Sequence, residues 1–290
     1  MARRLLPASV QAQLATKFSA LHNASSNTNG TLLLLNVTEP SHVKVALEQN
    51  GQAGAQRTIQ AFATASYGVA LTANTTDDDL TWKDNRRLST EIGKAVFAST
   101  KADPIPFSVD IQEGYGDELE SVIESVIVDA GAVGVNLEDA IRATASEPSK
   151  LMETSEAVER IKRTKAKAKE LGVPDFVINA RTDALIVGST VDEAIKRGKL
   201  YLEAGATVVF VWGGSQRGVS TDEVKRLAKE LDGRLNLSLK PGGLTLGELS
   251  DIGIARASLG PQLLFKQREG GEKLVASSVQ NLLKLGKINS

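Results

Sequence analysis

Eight short apolar runs recur along the chain, at Thr31–Asn36, Thr58–Ala63, Ile105–Asp110, Ala132–Leu137, Phe176–Ala180, Thr207–Val211, Leu235–Leu239 and Ala255–Leu259. They are apolar throughout rather than alternating, the pattern of strands buried on both faces. Helical periodicity fills most of the gaps, over Ser41–Gln49, Trp82–Ser99, Glu118–Ala130, Thr154–Leu171, Val191–Ala204, Ser220–Leu231 and Leu246–Asp251. Several of these stop at a glycine, as in Leu171-Gly172 and Ala204-Gly205, where a left-handed residue closes a helix. Strands alternating with helices imply an α/β fold with a parallel sheet. Eight such units favour closure into a (β/α)8 TIM barrel over a doubly wound open sheet. No glycine-rich nucleotide fingerprint supports the open sheet, since Gly213-Gly214 is too short to cradle a pyrophosphate.

The 290 residues read as a single domain, because barrels of roughly 250 residues fold as one unit. Within residues 1–30 we expect a helix over Ser9–His22, with Val10, Leu14, Phe18 and Leu21 on one face, followed by a polar loop. Residues 264–290 carry a second helical pattern, with Leu274, Val275, Val279, Leu282, Leu283 and Leu285. That segment is too apolar to lie free in water, which predicts packing on the barrel or exchange between subunits of a homo-oligomer. A formal net charge of −1 offers no electrostatic case for nucleic acid or an acidic membrane, and no apolar run approaches a spanning length. The expected setting is cytoplasmic. A mitochondrial presequence is the alternative, because Arg3, Arg4 and Lys17 precede the first acid, Glu39. Without cysteine the chain has neither thiolate ligand nor thiol acid. His22 reads as a surface residue, and His42 as a neighbour of the barrel mouth outside the chemistry.

Three of the apolar runs end in polar groups that a packed core would not select. Asp110 closes one and is followed by the turn Gln112-Glu113-Gly114-Tyr115-Gly116. Asn136-Leu137-Glu138-Asp139 closes the next, and Asn179-Ala180-Arg181-Thr182-Asp183 the one after. In a (β/α)8 barrel these ends meet at the catalytic mouth. Asp110 and Glu138, on consecutive strands, are placed to share one hard cation through oxygen ligands and waters. Arg181 has the planar fork that grips a carboxylate or phosphate, with Asp183 to orient it. Ser66 and Asn236 are candidate neutral donors. Trp212 and Lys240, at the ends of the sixth and seventh runs, suggest a substrate bulkier than the smallest oxo acids.

In these residues the chain resembles the isocitrate lyase and phosphoenolpyruvate mutase superfamily, over nearly its whole length. Asp110 with Gly114-Tyr115-Gly116 resembles its metal-binding signature, Gly134-Val135-Asn136-Leu137-Glu138-Asp139 its second acidic strand end, and Asn179-Ala180-Arg181-Thr182-Asp183 its arginine strand. The resemblance implies a (β/α)8 barrel, commonly tetrameric, that holds a 2-oxo acid or its enolate with magnesium, or manganese in its place. It implies that Asp110 binds the metal and that Glu138 and Asp77 act through metal-bound water. Arg181 would grip the carboxylate, and Ser66 with Gly68 would approach it.

Two departures bear on function. Gln112 stands where the superfamily has the second acid of its metal pair, which removes a negative charge from the metal set. The lyases' Lys-x-Cys-Gly-His loop is replaced by Ala140–Lys150, which has no cysteine or histidine, so isocitrate lyase activity is not expected. The loop's charges, Arg142, Glu147 and Lys150, read as solvated. The leading expectation is a magnesium-dependent lyase-type enzyme that cleaves or decarboxylates a 2-oxo or 2-hydroxy acid through an enolate. The alternatives are P–C bond chemistry on a phosphono-acid, or a diverged barrel that has lost its metal and serves an unusual substrate or an assembly.

Overall fold

The apolar runs form the staves of a closed barrel in the computed structural model, which describes residues 4–23, 30–52, 59–101, 103–142, 147–240, 242–271 and 273. The strands are β1 (Leu32–Asn36), β2 (Ala61–Ala63), β3 (Phe107–Asp110), β4 (Gly134–Glu138), β5 (Val177–Thr182), β6 (Val208–Val211), β7 (Leu235–Ser238) and β8 (Arg256–Ser258). Neighbours are parallel, and β8 pairs with β1 to close the ring. Registers carried from Leu32 through Arg256, Asn236, Phe210, Arg181 and Glu138, then through β3 and β2, return to β1 displaced by eight residues. A shear of eight over eight strands is the (β/α)8 geometry, which tilts the staves by about 36° and stacks inward side chains in layers drawn from alternate strands.

The expected helices lie between the strands with small shifts at their ends, such as Pro40–Gln52, Thr154–Glu170 and Val191–Glu203. Hydroxyl caps set several starts: Thr81 accepts from the Asp84 N–H, and Ser220 and Thr245 each form a reciprocal pair with the glutamate three residues on. Several short elements escape the periodicity, among them the four-residue helix Gly214–Arg217 after β6 and two more that show no clear apolar repeat. Those two are the helix Ser66–Thr72 after β2 and the antiparallel ribbon of Ala140–Ile141 with Lys150–Leu151. Residues 262–271 are helical. Residue 58 of the second run, most of the polar N-terminal loop, residues 143–146 of the altered loop and the apolar residues from Leu274 onward lie outside the described residues.

The N-terminal helix Ala8–Leu21 covers the barrel's lower end. His22 and Ser19 share a cleft with Thr207, Arg234 and Gly253, which precede β6, β7 and β8. Gln11 pins this helix by donating its amide to the carbonyls of Ile127 and Ala132, at 2.9 and 2.7 Å. The expectation of a surface His22 is therefore corrected. Only 4% exposed, it has Nδ1 donating to the Phe18 carbonyl at 2.8 Å, and burial lowers its pKa to about 3, helped by the charge of Arg256. A polar residue type concealed that it faces the barrel's lower end.

Among the described residues, no helix is long and apolar enough to cross a membrane.

Packing on the outside of the barrel is tight enough to test. Gly93 lies inside the helix Trp82–Ser99, where an alanine ordinarily stabilises by about 1 kcal/mol. Here a Cβ would sit 2.1 Å from the Ala130 carbonyl oxygen, a backbone atom that cannot swing aside. We expect Gly93→Ala to destabilise by about 1–3 kcal/mol in denaturant titration, the cost of overpacking. A gain in stability would show that the two helices separate freely.

Candidate active site

A cavity of about 790 Å³ opens at the C-terminal end of the staves, lined by strand-end and loop residues that include Ser66, Asp77, Asp110, Arg181, Trp212 and Lys240. Asp110 is its best-fixed acid. Buried at 8% exposure, it accepts from the Ser66 N–H at 2.8 Å through Oδ2, and from Asn136 Nδ2 at 2.9 Å and the Gln112 N–H at 3.2 Å through Oδ1. Its own N–H donates to Thr64 Oγ1 at 2.8 Å. These donors orient the carboxylate and leave a lone pair of Oδ2 available.

The turn after β3 makes this possible. Gln112, Gly114, Tyr115 and Gly116 all have positive φ, between 53° and 90°. A side chain at Gly114 would also meet Leu119 Cδ1 at 2.6 Å. Two non-glycine residues in the left-handed region cost roughly 1–2 kcal/mol each. Arg160 offsets this by donating to the carbonyls of Glu113, at 3.0 and 2.5 Å, and Gly116, at 3.1 Å. The Tyr115 hydroxyl accepts from Asn85, whose amide also donates to the Asp110 carbonyl, each at 2.9 Å.

Arg181, in the fifth strand and one residue before its end, is clamped on three sides. Asp183 takes its Nε and Nη2 at 2.6 and 2.8 Å, Glu138 takes Nη1 at 2.5 Å, and the Trp212 ring lies 4.2 Å from the guanidinium carbon. Each terminal nitrogen keeps one further hydrogen for a ligand. Burial alone would lower the arginine's pKa, but the two carboxylates outweigh it and raise it. Asp183 is itself held from below, its N–H donating to Asp139 Oδ1 at 2.9 Å. Asp139 in turn accepts from Tyr201 and Arg197, at 2.7 and 3.2 Å.

The ion pair would be expected to depress Glu138, yet its pKa lies well above the usual carboxylate range. Burial raises it, Arg181 pulls it down, and repulsion from Asp110, Asp183 and Asp77 restores the rise. We take the upward direction, because more acids than cations crowd this end of the barrel. Asp77 is raised for the same two reasons, burial first and then Asp110.

The described residues contain no group of three or more carboxylates or imidazoles set around one point as metal ligands. What they offer is an all-oxygen set with one oriented carboxylate, Asp110. Glu138 and Asp77 lie near enough to repel it. That set fits a hard cation which keeps most of its own hydration. The raised proton affinities of Glu138 and Asp77 agree, since a cation there relieves the same repulsion that a proton does.

Several sequence expectations need correction. Gln112 does not turn a free oxygen toward the metal position: Oε1 accepts from Arg142, and Nε2 donates to the Asp77 carbonyl and carboxylate at 2.9 and 3.0 Å. Arg142, read as a solvated loop charge, is half-buried; it also pairs with Glu113 at 3.0 Å and lies over the Tyr115 ring. Lys150 and Glu147 do remain exposed, paired at 3.2 Å. Gly68 is not among the cavity-lining residues; a Cβ there would strike the Thr38 methyl at 2.4 Å, so it serves packing. Trp212 and Lys240 line the cavity but lie beyond their strands, Lys240 exposed at the rim. His42 is held by Gln267 Oε1 at 2.6 Å and does not line the cavity. Asn236 lies deep, and its amide has no hydrogen-bond partner among the described residues. Arg256, at the start of β8, also reaches the cavity. Sequence reading passed it over because an arginine opening a short apolar run looks like a solvated strand start.

Residues 18–277 match the family model described as phosphoenolpyruvate phosphomutase. The chain is 36% identical to 2-methylisocitrate lyase of Escherichia coli (strain K12) over 153 residues, which cover 51% of this chain and 46% of that protein. Among solved structures, a candidate phosphonomutase of Burkholderia cenocepacia J2315 superposes with a TM-score of 0.75 at 28% identity, covering 92% of this chain and 99% of that one. A phosphonopyruvate hydrolase solved with oxalate and magnesium shares the fold at 20% identity, with a TM-score of 0.73 over 93% of this chain and 87% of that one. Barrel, strand-end acids and clamped arginine thus stand in a chain that belongs to the phosphoenolpyruvate phosphomutase family.

Proposed function

We propose that this chain is a lyase-type enzyme that acts on a 2-oxo or 2-hydroxy carboxylic acid through an enolate. The observation that carries this reading is the placement of one clamped guanidinium, Arg181, beside one fully oriented carboxylate, Asp110, in the same mouth. Breaking the bond next to the carbonyl leaves its electron pair on an enolate oxygen, and a preorganised cation stabilises that charge without rearranging. Arg181 needs no reorganisation, because Asp183, Glu138 and Trp212 already hold it. Its remaining terminal hydrogens suit a carboxylate or enolate oxygen.

Asp110 would hold a magnesium or manganese ion, with Glu138 and Asp77 reaching it through water. When bound, that ion supplies Lewis-acid polarisation of the carbonyl. Glu138, whose proton affinity is raised by burial and by neighbouring acids, is suited to hold a proton beside Arg181 at the cavity rim. The Trp212 face closes one wall against water, and the Ser66 N–H keeps Asp110 from rotating. Lys240 at the rim favours P–C chemistry as a second reading, which phosphate release from phosphonopyruvate would reveal.

Titration calorimetry with oxalate, a mimic of the pyruvate enolate, tests the assignment. We expect binding that requires magnesium and disappears in Asp110→Ala. Arg181→Ala should weaken binding at least about 30-fold, the scale for losing one member of a buried charge pair. Arg181→Lys, which keeps the charge and spares Glu138 and Asp183, should recover part of it. Oxalate binding that ignores magnesium and Asp110 would point instead to a diverged, metal-free barrel, a reading in line with the capture of Gln112 by Arg142.

The crowded acids also predict a pH dependence. Glu138 and Asp77 have folded pKa values above their unfolded ones, so they favour the folded state at low pH, and this contribution is lost as pH rises through the folded values. Without divalent cations, the melting temperature should therefore fall from about pH 5 upward, beyond the range of ordinary carboxylates. Magnesium should restore it most at the upper end, and Glu138→Gln should flatten the slope. A melting temperature that is level from acid to neutral pH, with no response to magnesium, would contradict this account.

A further inference from the structure

The interior of the barrel below the mouth is polar where such barrels are ordinarily filled by branched apolar side chains. Residues two apart on a strand share a face, so the inward positions beneath the mouth can be read directly. Ser108 lies below Asp110 on β3, Asn179 below Arg181 on β5, Asn236 below Ser238 on β7, and Arg256 below Ser258 on β8. All four lower residues line the cavity and are buried, none more than 2% exposed.

Their bonding is incomplete on one side. Ser108 Oγ, Asn179 Oδ1, both amide atoms of Asn236, and Nε and Nη1 of Arg256 have no hydrogen-bond partner among the described residues. Buried polar atoms are ordinarily satisfied, and an orphaned one costs about 1–3 kcal/mol, so a cluster in a single chamber calls for a common partner. Its chemistry follows from the charge. Arg256 and Asn236 are register partners on adjacent strands, and among the described residues neither has a hydrogen bond to a carboxylate. Beneath them lies the plug of Phe18 and His22, whose imidazole is neutral. Burial lowers the pKa of Arg256 to about 9, and the charge of Asp110 opposes the fall. The lower chamber is thus a fixed positive charge flanked by neutral donors, under a mouth crowded with acids.

We infer that the barrel floor around Arg256, Asn236 and Ser108 is a receptor for an anionic group, and that it takes the second anionic arm of a substrate whose oxo-acid end sits at Asp110 and Arg181. The inference rests on the proposed function for the position of that first end. Successive inward layers are about 5–6 Å apart along the axis, so the two anionic ends belong to one short acid of roughly four to six carbons. The chamber selects for the far end of the molecule, whereas the mouth acts on the near end.

The test compares oxalate, 2-oxoglutarate, succinate and inorganic phosphate by calorimetry, with magnesium present, on the wild-type chain, Arg256→Met and Arg256→Lys. We expect Arg256→Met to weaken 2-oxoglutarate at least about tenfold relative to oxalate, as the loss of charge-assisted hydrogen bonds implies, and Arg256→Lys to regain part of that ratio. Arg256→Met should also melt no lower than wild type, since it removes a buried charge without a bonded partner. A clear drop in melting temperature would overturn the inference by giving Arg256 a structural role. Equal losses for oxalate and 2-oxoglutarate would likewise overturn it. Arg256-dependent phosphate binding with no preference for the longer acid would assign the floor to a resident inorganic anion and overturn the substrate arm. If oxalate fails to bind while succinate binds in an Arg256-dependent way, the enolate reading fails and the floor receptor stands.

Discussion

The guanidinium of Arg181, held between Asp183 and Glu138 and faced by Trp212, is the interaction on which the rest of the mouth depends. It ties β4, β5 and the segment after β6 into one rigid group at the rim. Removing two like-charged acids and one cation from water is expensive, and the attraction repays it only because every partner is hydrogen-bonded in good geometry. The support continues downward. Asp139 holds the Asp183 backbone, is paired with Arg197 and accepts a hydrogen bond from Tyr201. A displacement of any member would leave a buried charge unpaired, so the arrangement has one stable geometry rather than a range.

The acids outnumber the cations at the mouth, and this imbalance separates a binding site from a merely structural ion cluster. A structural cluster would balance its charges internally. Here Glu138 and Asp77 are pushed toward protonation by their neighbours while Asp110 is held by neutral donors. At the opposite end of the cavity the sign reverses, with Arg256 buried and, among the described residues, without a hydrogen-bonded counter-charge. The axis of the barrel therefore carries a gradient from acid mouth to basic floor, and a ligand that combines a cation with an elongated acid would answer both ends.

Much of this was legible before any coordinates. Strand count, helix positions and the three acid- or arginine-bearing strand ends follow from local patterns. Asp110, Glu138, Arg181, Ser66 and Asp77 do share one cavity or its immediate rim, while Gly68 and His42 do not line it. The misreadings have a common cause. Gln112 looked like a weakened ligand, but its carboxamide is taken by Arg142, which stands thirty residues later in the chain. His22 looked exposed because a histidine on an amphipathic helix usually is, and its burial depends on which end of the barrel that helix covers.

The sequence by itself determined the alternation of strands and helices and the residue types at the strand ends, because periodicity and turn chemistry act over a few neighbours. The turn Gly114-Tyr115-Gly116 and the hydroxyl helix caps are of this local kind. Only the tertiary structure decided which charges meet. The shear of the closed barrel brings Arg256 beside Asn236 and sets both in one row with Phe210 and Arg181, and no spacing along the chain encodes that register. Electrostatic character is set by distance and burial, so the strained acid mouth and the unpaired arginine at the floor emerge when the last strand closes on the first.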